Sequence, residues 1–249
     1  MPTPKSVFLT GASSGLGRGL ALHYAKAGAR VYAAARRREE LDKLAAESPQ
    51  ITPVVLDVQD SEALVAELRK AEKEQGGLDL VIANAGVGKP QSARKMDWRS
   101  VKQTFDVNTT AAAVTIAAAL PAMIERDAGH VVAVASLAAF RGMPGNAAYC
   151  GSKAALHTFM ESVRVDLRRT RVRATCIYPG FVKTEMTEKN KFPMPFLMEL
   201  DDAVKVMVRG LDKGAPVIAY PLPMVGMVKG LHALPRGLYE PLAGRTRMF

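Results

Sequence analysis

The stretch "VFLTGASSGLG" (Val7–Gly17) decides the fold. Its first four residues are β-branched or large and apolar, the composition of a short buried strand. Glycines follow at Gly11, Gly15 and Gly17, and the chain runs on into the alanine- and leucine-rich helical pattern of Leu16–Ala27. A strand that turns on glycines into a helix presents unpaired backbone N–H groups and the positive end of a helix dipole, which suits a pyrophosphate. Glycine is needed where the backbone must turn tightly or approach its ligand with no Cβ in the way. The spacing Gly-x3-Gly-x-Gly departs from the common Gly-x-Gly-x-x-Gly fingerprint, so the strand–turn–helix setting carries as much weight as the glycines.

The rest of the chain repeats that rhythm. Arg30–Ala35, Pro53–Val58, Leu78–Gly86, His130–Ser136 and Arg173–Gly180 read as further strands, with Val217–Tyr220 as a seventh. Helical patterns such as Ser61–Gln75 and Ala148–Arg168 lie between them. The strands are continuous apolar runs and not alternating ones, as expected when helices cover both faces. This alternation predicts an α/β fold: a single Rossmann-type, doubly wound parallel sheet of seven strands flanked by helices, over residues 1–249. Two segments break the pattern. Residues 181–200 are rich in methionine, proline and phenylalanine and follow a strand's C-terminal end, where open α/β sheets bind ligands; they read as an apolar lid. Residues 221–249 form a basic, proline-interrupted extension that is expected to cap the substrate cleft or enter a subunit interface.

Composition narrows the classes. Of 249 residues, 48% are hydrophobic and 23% charged, the balance of a soluble globular protein. Cys150 and Cys176 cannot make a disulfide framework, the N-terminus lacks an apolar leader, and Val107–Ile124 carries too many polar residues for a good membrane span. A cytoplasmic location is expected, with no metal site. The net charge of +10 gathers at Arg36–Arg38, at Arg164–Arg173 and near the C-terminus, including Lys229, Arg236, Arg245 and Arg247. No aromatic-interleaved platform accompanies it, so nucleic-acid binding is not expected and solvated faces explain most of the charge. Membrane contact through the tail is disfavoured by its prolines.

Arg36 and Arg37 are the exception. They end the second strand, where dinucleotide folds that prefer NAD place an acid for the ribose 2′-hydroxyl. An arginine fork there suits a 2′-phosphate, which favours NADP(H) and leaves NAD(H) as the alternative. The duller explanation is that both arginines mark the start of a solvated helix.

TGASSGLG, the Asn-Ala-Gly of "IANAG", Ser136 and "YCGSK" together resemble the short-chain dehydrogenase/reductase family in its compact form. The resemblance covers nearly the whole chain and implies roles position by position. Gly11, Ser13, Ser14, Gly15, Leu16 and Gly17 would form the phosphate turn, with Asp57 and Val58 at the adenine. Asn84, Ala85 and Gly86 would steady the sheet and line the cofactor; Pro179, Gly180, Val182 and Thr184 would lie beside the nicotinamide. Asn108, Ser136, Tyr149 and Lys153 match the catalytic tetrad, and Tyr149 and Lys153 would also hold the cofactor's ribose. Ser14 departs from members that carry a basic residue before the second glycine, so phosphate selectivity rests on Arg36 and Arg37. The family also implies a homodimer or homotetramer acting on a small carbonyl or alcohol.

The chemistry follows from the residue types. Tyr149 and Lys153 are four residues apart, which stacks them on one helix face about 5–6 Å apart at Cβ. A neighbouring ammonium favours phenolate and draws a phenol's pKa down from about 10 toward a useful general acid–base range. Ser136 is expected to hold the carbonyl oxygen as charge develops, and Asn108 to keep a water in line with Lys153 for proton resupply. His157, one turn beyond Lys153, reads as a packing residue against a partner subunit, and Cys150 as a small buried one. The competing class is a dinucleotide-binding or regulatory protein without activity; the intact Ser136–Tyr149–Lys153 set argues against it.

Overall fold

The structure is a computed structural model that describes residues 3–188, 190 and 193–245. Lys189 and Lys191–Phe192 of the expected lid, and Arg247 with the rest of the last four residues, lie outside the described residues. The strands are β1 (Ser6–Thr10), β2 (Arg30–Ala35), β3 (Ile51–Val55), β4 (Leu80–Ala83), β5 (His130–Val134), β6 (Arg173–Pro179) and β7 (Val217–Tyr220). They pair in parallel in the order β3-β2-β1-β4-β5-β6-β7. The order reverses between β1 and β4, so the crevice at their carboxyl ends is the expected ligand position.

Buried positions alternate between two cores, one on each face of the sheet. Val7 and Leu9 join Leu20, Leu41, Val204 and Met207 on one side; Phe8 joins Leu64, Ile116, Leu156 and Met160 on the other. That is why the strands are apolar throughout. The helices are α1 (Gly15–Lys26), α2 (Arg38–Ala46), α3 (Ser61–Gln75), α4 (Trp98–Phe105), α5 (Ala111–Glu125) and α6 (Ala147–Asp166), then α7 (Glu185–Glu188), α8 (Leu200–Asp212), α9 (Leu222–Ala233) and α10 (Arg236–Arg245). α3 starts on Asp60, which accepts from Ala63 N at 3.0 Å, and stops on Gly76 in the left-handed region (φ +65°).

Three strands, β3, β4 and β5, end two or three residues before their apolar runs do, and β6 ends one residue before. β3 ends at Val55 because its partner β2 ends at Ala35, and Leu56 N makes the last backbone bond to Ala35 O. Pro53 is tolerated because β3 is an edge strand that pairs only with β2. β4 stops at Ala83, where Thr10 Oγ1 takes the N–H groups of Asn84 and Ala85; β5 stops at Val134.

α4 and α5 form one helical rod, Trp98–Glu125, with a mean hydropathy of 1.6 over its most apolar window. It is the one helix among the described residues long and apolar enough to cross a membrane, yet it packs against α3, α6, β4 and β5. Its middle turn, Asp106–Thr110, is π-helical and contains Asn108.

Candidate active site

β1 delivers Gly11 at φ +72°, and a Cβ there would fall 2.7 Å from Ala85 Cα. A Cβ on Gly17 would lie 2.2 Å from Gly11 O. Only glycine permits this turn to fold against the start of α1. Asn84 stitches it to β4, its amide donating to the carbonyls of Thr10 (3.1 Å) and Gly11 (3.2 Å). Arg18 N to Ser14 O is the first bond of α1, so the N–H groups ahead of it have no intrahelical partner. Ser14, the N-cap, makes no side-chain cap bond. A narrow glycine cradle with unpaired donors fits a dinucleotide pyrophosphate.

A cleft of about 580 Å³ runs from this turn along the carboxyl ends of the sheet. It gathers nearly all the residues expected from sequence: Arg36, Arg37, Asp57 and Val58 at one end, Pro179, Gly180, Val182 and Thr184 along it, and Ser136, Tyr149 and Lys153 at the other. Gly17 and Asn108 do not line it. Gly17 sits behind the turn, and Asn108 lies fully buried beneath Gly86 and Val87.

Asn108 meets the backbone of Val87 on both edges, Oδ1 accepting from Val87 N (2.7 Å) and Nδ2 donating to Val87 O (2.9 Å). Nδ2 also donates to Ser152 Oγ at 3.0 Å, so the side chain joins the β4 exit to α6. The Asn108 side chain thus ties the π-helical turn of the α4–α5 rod to the loop after β4 and to α6, close to Lys153. Ser136, at the end of β5, accepts from Ala138 N (3.1 Å), donates to Pro179 O (3.4 Å) and lies within hydrogen-bonding reach of the Tyr149 phenol. Lys153 Nζ donates to Val134 O at 2.7 Å and sits 6.0 Å from the Tyr149 ring centre.

The electrostatics differ from the sequence expectation. Burial raises the Tyr149 pKa; the Ser136 hydrogen bond pulls it down, and Cys150 adds a small upward push. Lys153 is not among the groups that shift it. Burial instead pushes Lys153 itself down to about 8, Cys176 opposing weakly. The ammonium is anchored to Val134 O, 6.0 Å from the ring centre, and burial is the largest influence on both groups.

His157 packs inside its own chain. Its Nδ1 shares a 2.5 Å hydrogen bond with the Tyr178 hydroxyl, and its ring lies 5.2 Å from that of Phe140 and 5.5 Å from that of Tyr178. His157 thus has a packing role within its own chain, its aromatic partners coming from β6 and from the turn after β5. Cys150 is buried, as expected of a packed thiol.

The apolar end of the cleft draws mainly on the two segments that break the strand–helix pattern, 181–200 and 221–249. Phe181 and Met186 after β6, Met143 after β5, and Met224, Val228 and Tyr239 from α9 and α10 form its apolar wall. The C-terminal helices are pinned there by Arg141, whose guanidinium donates to His232 O (3.3 Å) and Leu234 O (3.2 Å) and stacks 4.0 Å from the Tyr239 ring centre. Tyr239 donates to Gly142 O at 2.5 Å, and His232 Nδ1 donates to Phe140 O at 2.6 Å. Pro235 separates the two helices, which lets the tail fold back.

Residues 5–193 match the short chain dehydrogenase family model. A Myxococcus xanthus protein named "Uncharacterized oxidoreductase" is 50% identical over 247 residues, covering 98% of both chains. A short-chain dehydrogenase from Burkholderia cenocepacia, solved in complex with NADP, superposes with a TM-score of 0.82 at 28% identity, over 95% of this chain and 96% of that one. A short-chain dehydrogenase/reductase from Burkholderia phymatum, solved with NAD, gives 0.84 at 23% identity over 92% of each chain, a likeness of fold. A glycine turn at the switch point of a parallel sheet, a Ser–Tyr–Lys cluster at the end of its cleft and relatives across the full length agree: the chain belongs to the short-chain dehydrogenase family of oxidoreductases.

Proposed function

We propose that the protein is an NADP(H)-dependent oxidoreductase that interconverts a small apolar carbonyl compound and its alcohol, with Tyr149 as general acid and base. The observation that carries this is the convergence of Ser136, Tyr149 and Lys153 at one end of a cleft whose other end holds a glycine cradle and two arginines. The B. cenocepacia relative's complex with NADP supports the cofactor class.

Bound at the cradle, the cofactor supplies or accepts the hydride. Ser136 Oγ and the Tyr149 hydroxyl hold the substrate oxygen between them, and in reduction the phenol gives that oxygen its proton. Burial keeps the phenol protonated near neutral pH, which suits reduction; alcohol oxidation needs phenolate and gains as the pH rises. Lys153, held on Val134 O, stays largely charged below about pH 8 and would donate to the ribose hydroxyls. Asn108 keeps the floor of this corner in place and contributes to proton resupply through Lys153. The apolar wall, with Phe181 and Met186 after β6 as part of a lid, selects substrates with an aliphatic or ring body.

The enzyme is proposed to work in the cytoplasm, in keeping with two buried free thiols, as a homodimer or homotetramer. Exposed Trp98, Ile124 and Val165 on α4, α5 and α6 offer apolar surface for such contacts. Turnover of a ketone and aldehyde panel with NADPH and NADH tests the cofactor assignment. The wild type should prefer NADPH, and Arg36→Asp with Arg37→Ala should lower the NADPH/NADH ratio of kcat/KM by about 10- to 100-fold, the loss of two charge-assisted phosphate contacts. An unchanged ratio would mean that the phosphate is read elsewhere.

A further inference from the structure

Arg37 stands at the N-cap of α2, directly after β2, with all three guanidinium nitrogens engaged. Nε and one terminal nitrogen donate to Ser13 Oγ (3.2 and 3.1 Å), and the other terminal nitrogen donates to Glu185 Oε2 at 2.9 Å. Ser13 belongs to the phosphate turn, and Glu185 opens α7 in the segment that follows β6, 148 residues from Arg37 in sequence. The arginine therefore ties the turn after β1, the end of β2 and the segment after β6 together across the adenosine end of the cleft. Arg36, by contrast, has a carboxylate only at 3.9 Å, that of Asp57.

A guanidinium held this way has its phosphate-binding donors filled by stand-in acceptors: a hydroxyl oxygen and a carboxylate oxygen. A phosphate offers the same kind of oxygens with more charge and bidentate geometry. A carboxylate cannot stay within ion-pair distance of that guanidinium beside a phosphate dianion without like-charge repulsion. A ribose 2′-hydroxyl carries no charge and makes no such demand.

We infer that Glu185 is a specificity-determining residue that competes with the ribose 2′-phosphate for Arg37. The inference rests on the NADP(H) assignment and deepens it: Arg37 supplies the attraction, and Glu185 sets how much of it NADP(H) receives. Displacement of Glu185 also frees the root of the segment after β6. Thr184 is packed on the phosphate turn there, its methyl 3.1 Å from where a Cβ on Gly15 would lie. Cofactor binding at the adenosine end is thus coupled to the segment that lines the substrate end through Met186 and Thr187.

The test measures dissociation constants of NADPH and NADH by cofactor fluorescence with the full-length wild type, Glu185→Gln, Arg37→Ala and the double variant. Both side chains are about half exposed (46% and 56%), so the effect is that of a solvated ion pair. Glu185→Gln should tighten NADPH about three- to tenfold and leave NADH within about twofold, with the gain shrinking in high salt and vanishing when Arg37 is also alanine. Equal tightening of both cofactors would overturn the competition and make Glu185 a general gate. A flat Glu185→Gln beside an Arg37→Ala that weakens NADPH would overturn it while leaving the NADP(H) assignment standing. If Arg37→Ala leaves NADPH affinity unchanged, both the competition and the role of Arg37 fail together.

Discussion

Replacing Lys153 by methionine separates what the buried ammonium costs from what it contributes. Burial lowers its pKa from 10.5 to about 8, and Lys153 is only 3% exposed, so solvent does little to screen the effect. At about 1.4 kcal/mol per pH unit, holding the charge in the fold at pH 7 costs roughly 3 kcal/mol. Methionine removes that cost but leaves Val134 O without its donor, a loss of about 1 kcal/mol. The variant should therefore be about 2 kcal/mol more stable than wild type at pH 7, raising Tm by about 4–8 °C for a chain of this size.

The sign of the pH dependence is fixed by the direction of the shift. Below pH 8 folded and unfolded wild type both carry the proton, so the full cost is present. Between pH 8 and 10.5 the unfolded chain holds a proton that the folded one has released, so wild-type stability rises with pH. By pH 9.5 about 2 kcal/mol of the cost is gone, and the two proteins should melt within a few degrees of each other. Thermal melts at pH 7 and pH 9.5, at matched protein concentration, read this directly, while turnover should be lost at both. A variant that melts below wild type at pH 7, or a gap that does not narrow with pH, would refute burial as the cause.

Arg141→Ala removes the clamp on the C-terminal helices, two hydrogen bonds and a cation–π contact worth about 1–3 kcal/mol together. KM for apolar carbonyls should rise several-fold in steady-state assays while NADPH affinity holds. Size-exclusion chromatography with light scattering should show a dimer or tetramer; a monomer at assay concentrations would remove the oligomer from the account.

Local features of the fold were legible. Arg30–Ala35, Val217–Tyr220 and Ser61–Gln75 begin and end where their patterns do, because cap, turn and apolar run coincide there. Pro53–Val58 and Leu78–Gly86 overran the observed strands, since an apolar run continues past the last residue that has a pairing partner. The glycine turn and the Ser136–Tyr149–Lys153 set were legible because each lies in a short motif whose spacing states its geometry. Arg141 on Tyr239 and Arg37 on Glu185 were not, because those contacts join residues far apart in the chain and no periodicity encodes them. The upward direction of the Tyr149 shift was not legible for a related reason: spacing showed the ammonium nearby, whereas the burial that raises the phenol's pKa exists only once the cleft is folded. The packing of His157 on Phe140 and Tyr178 was not legible either, because helix spacing shows a face but not the rings on β6 and after β5 that meet it.

The most direct test of the account pairs wild type with Tyr149→Phe, measuring NADPH oxidation against ketones, aldehydes and quinones alongside NADPH binding by fluorescence. The account predicts turnover by the wild type on apolar members of the panel. In the variant, NADPH should still bind, weakened no more than about tenfold by the lost ribose contact, while kcat falls by at least about 100-fold, the scale of a lost general acid. Retained turnover in Tyr149→Phe would contradict the role given to the phenol and with it the mechanism.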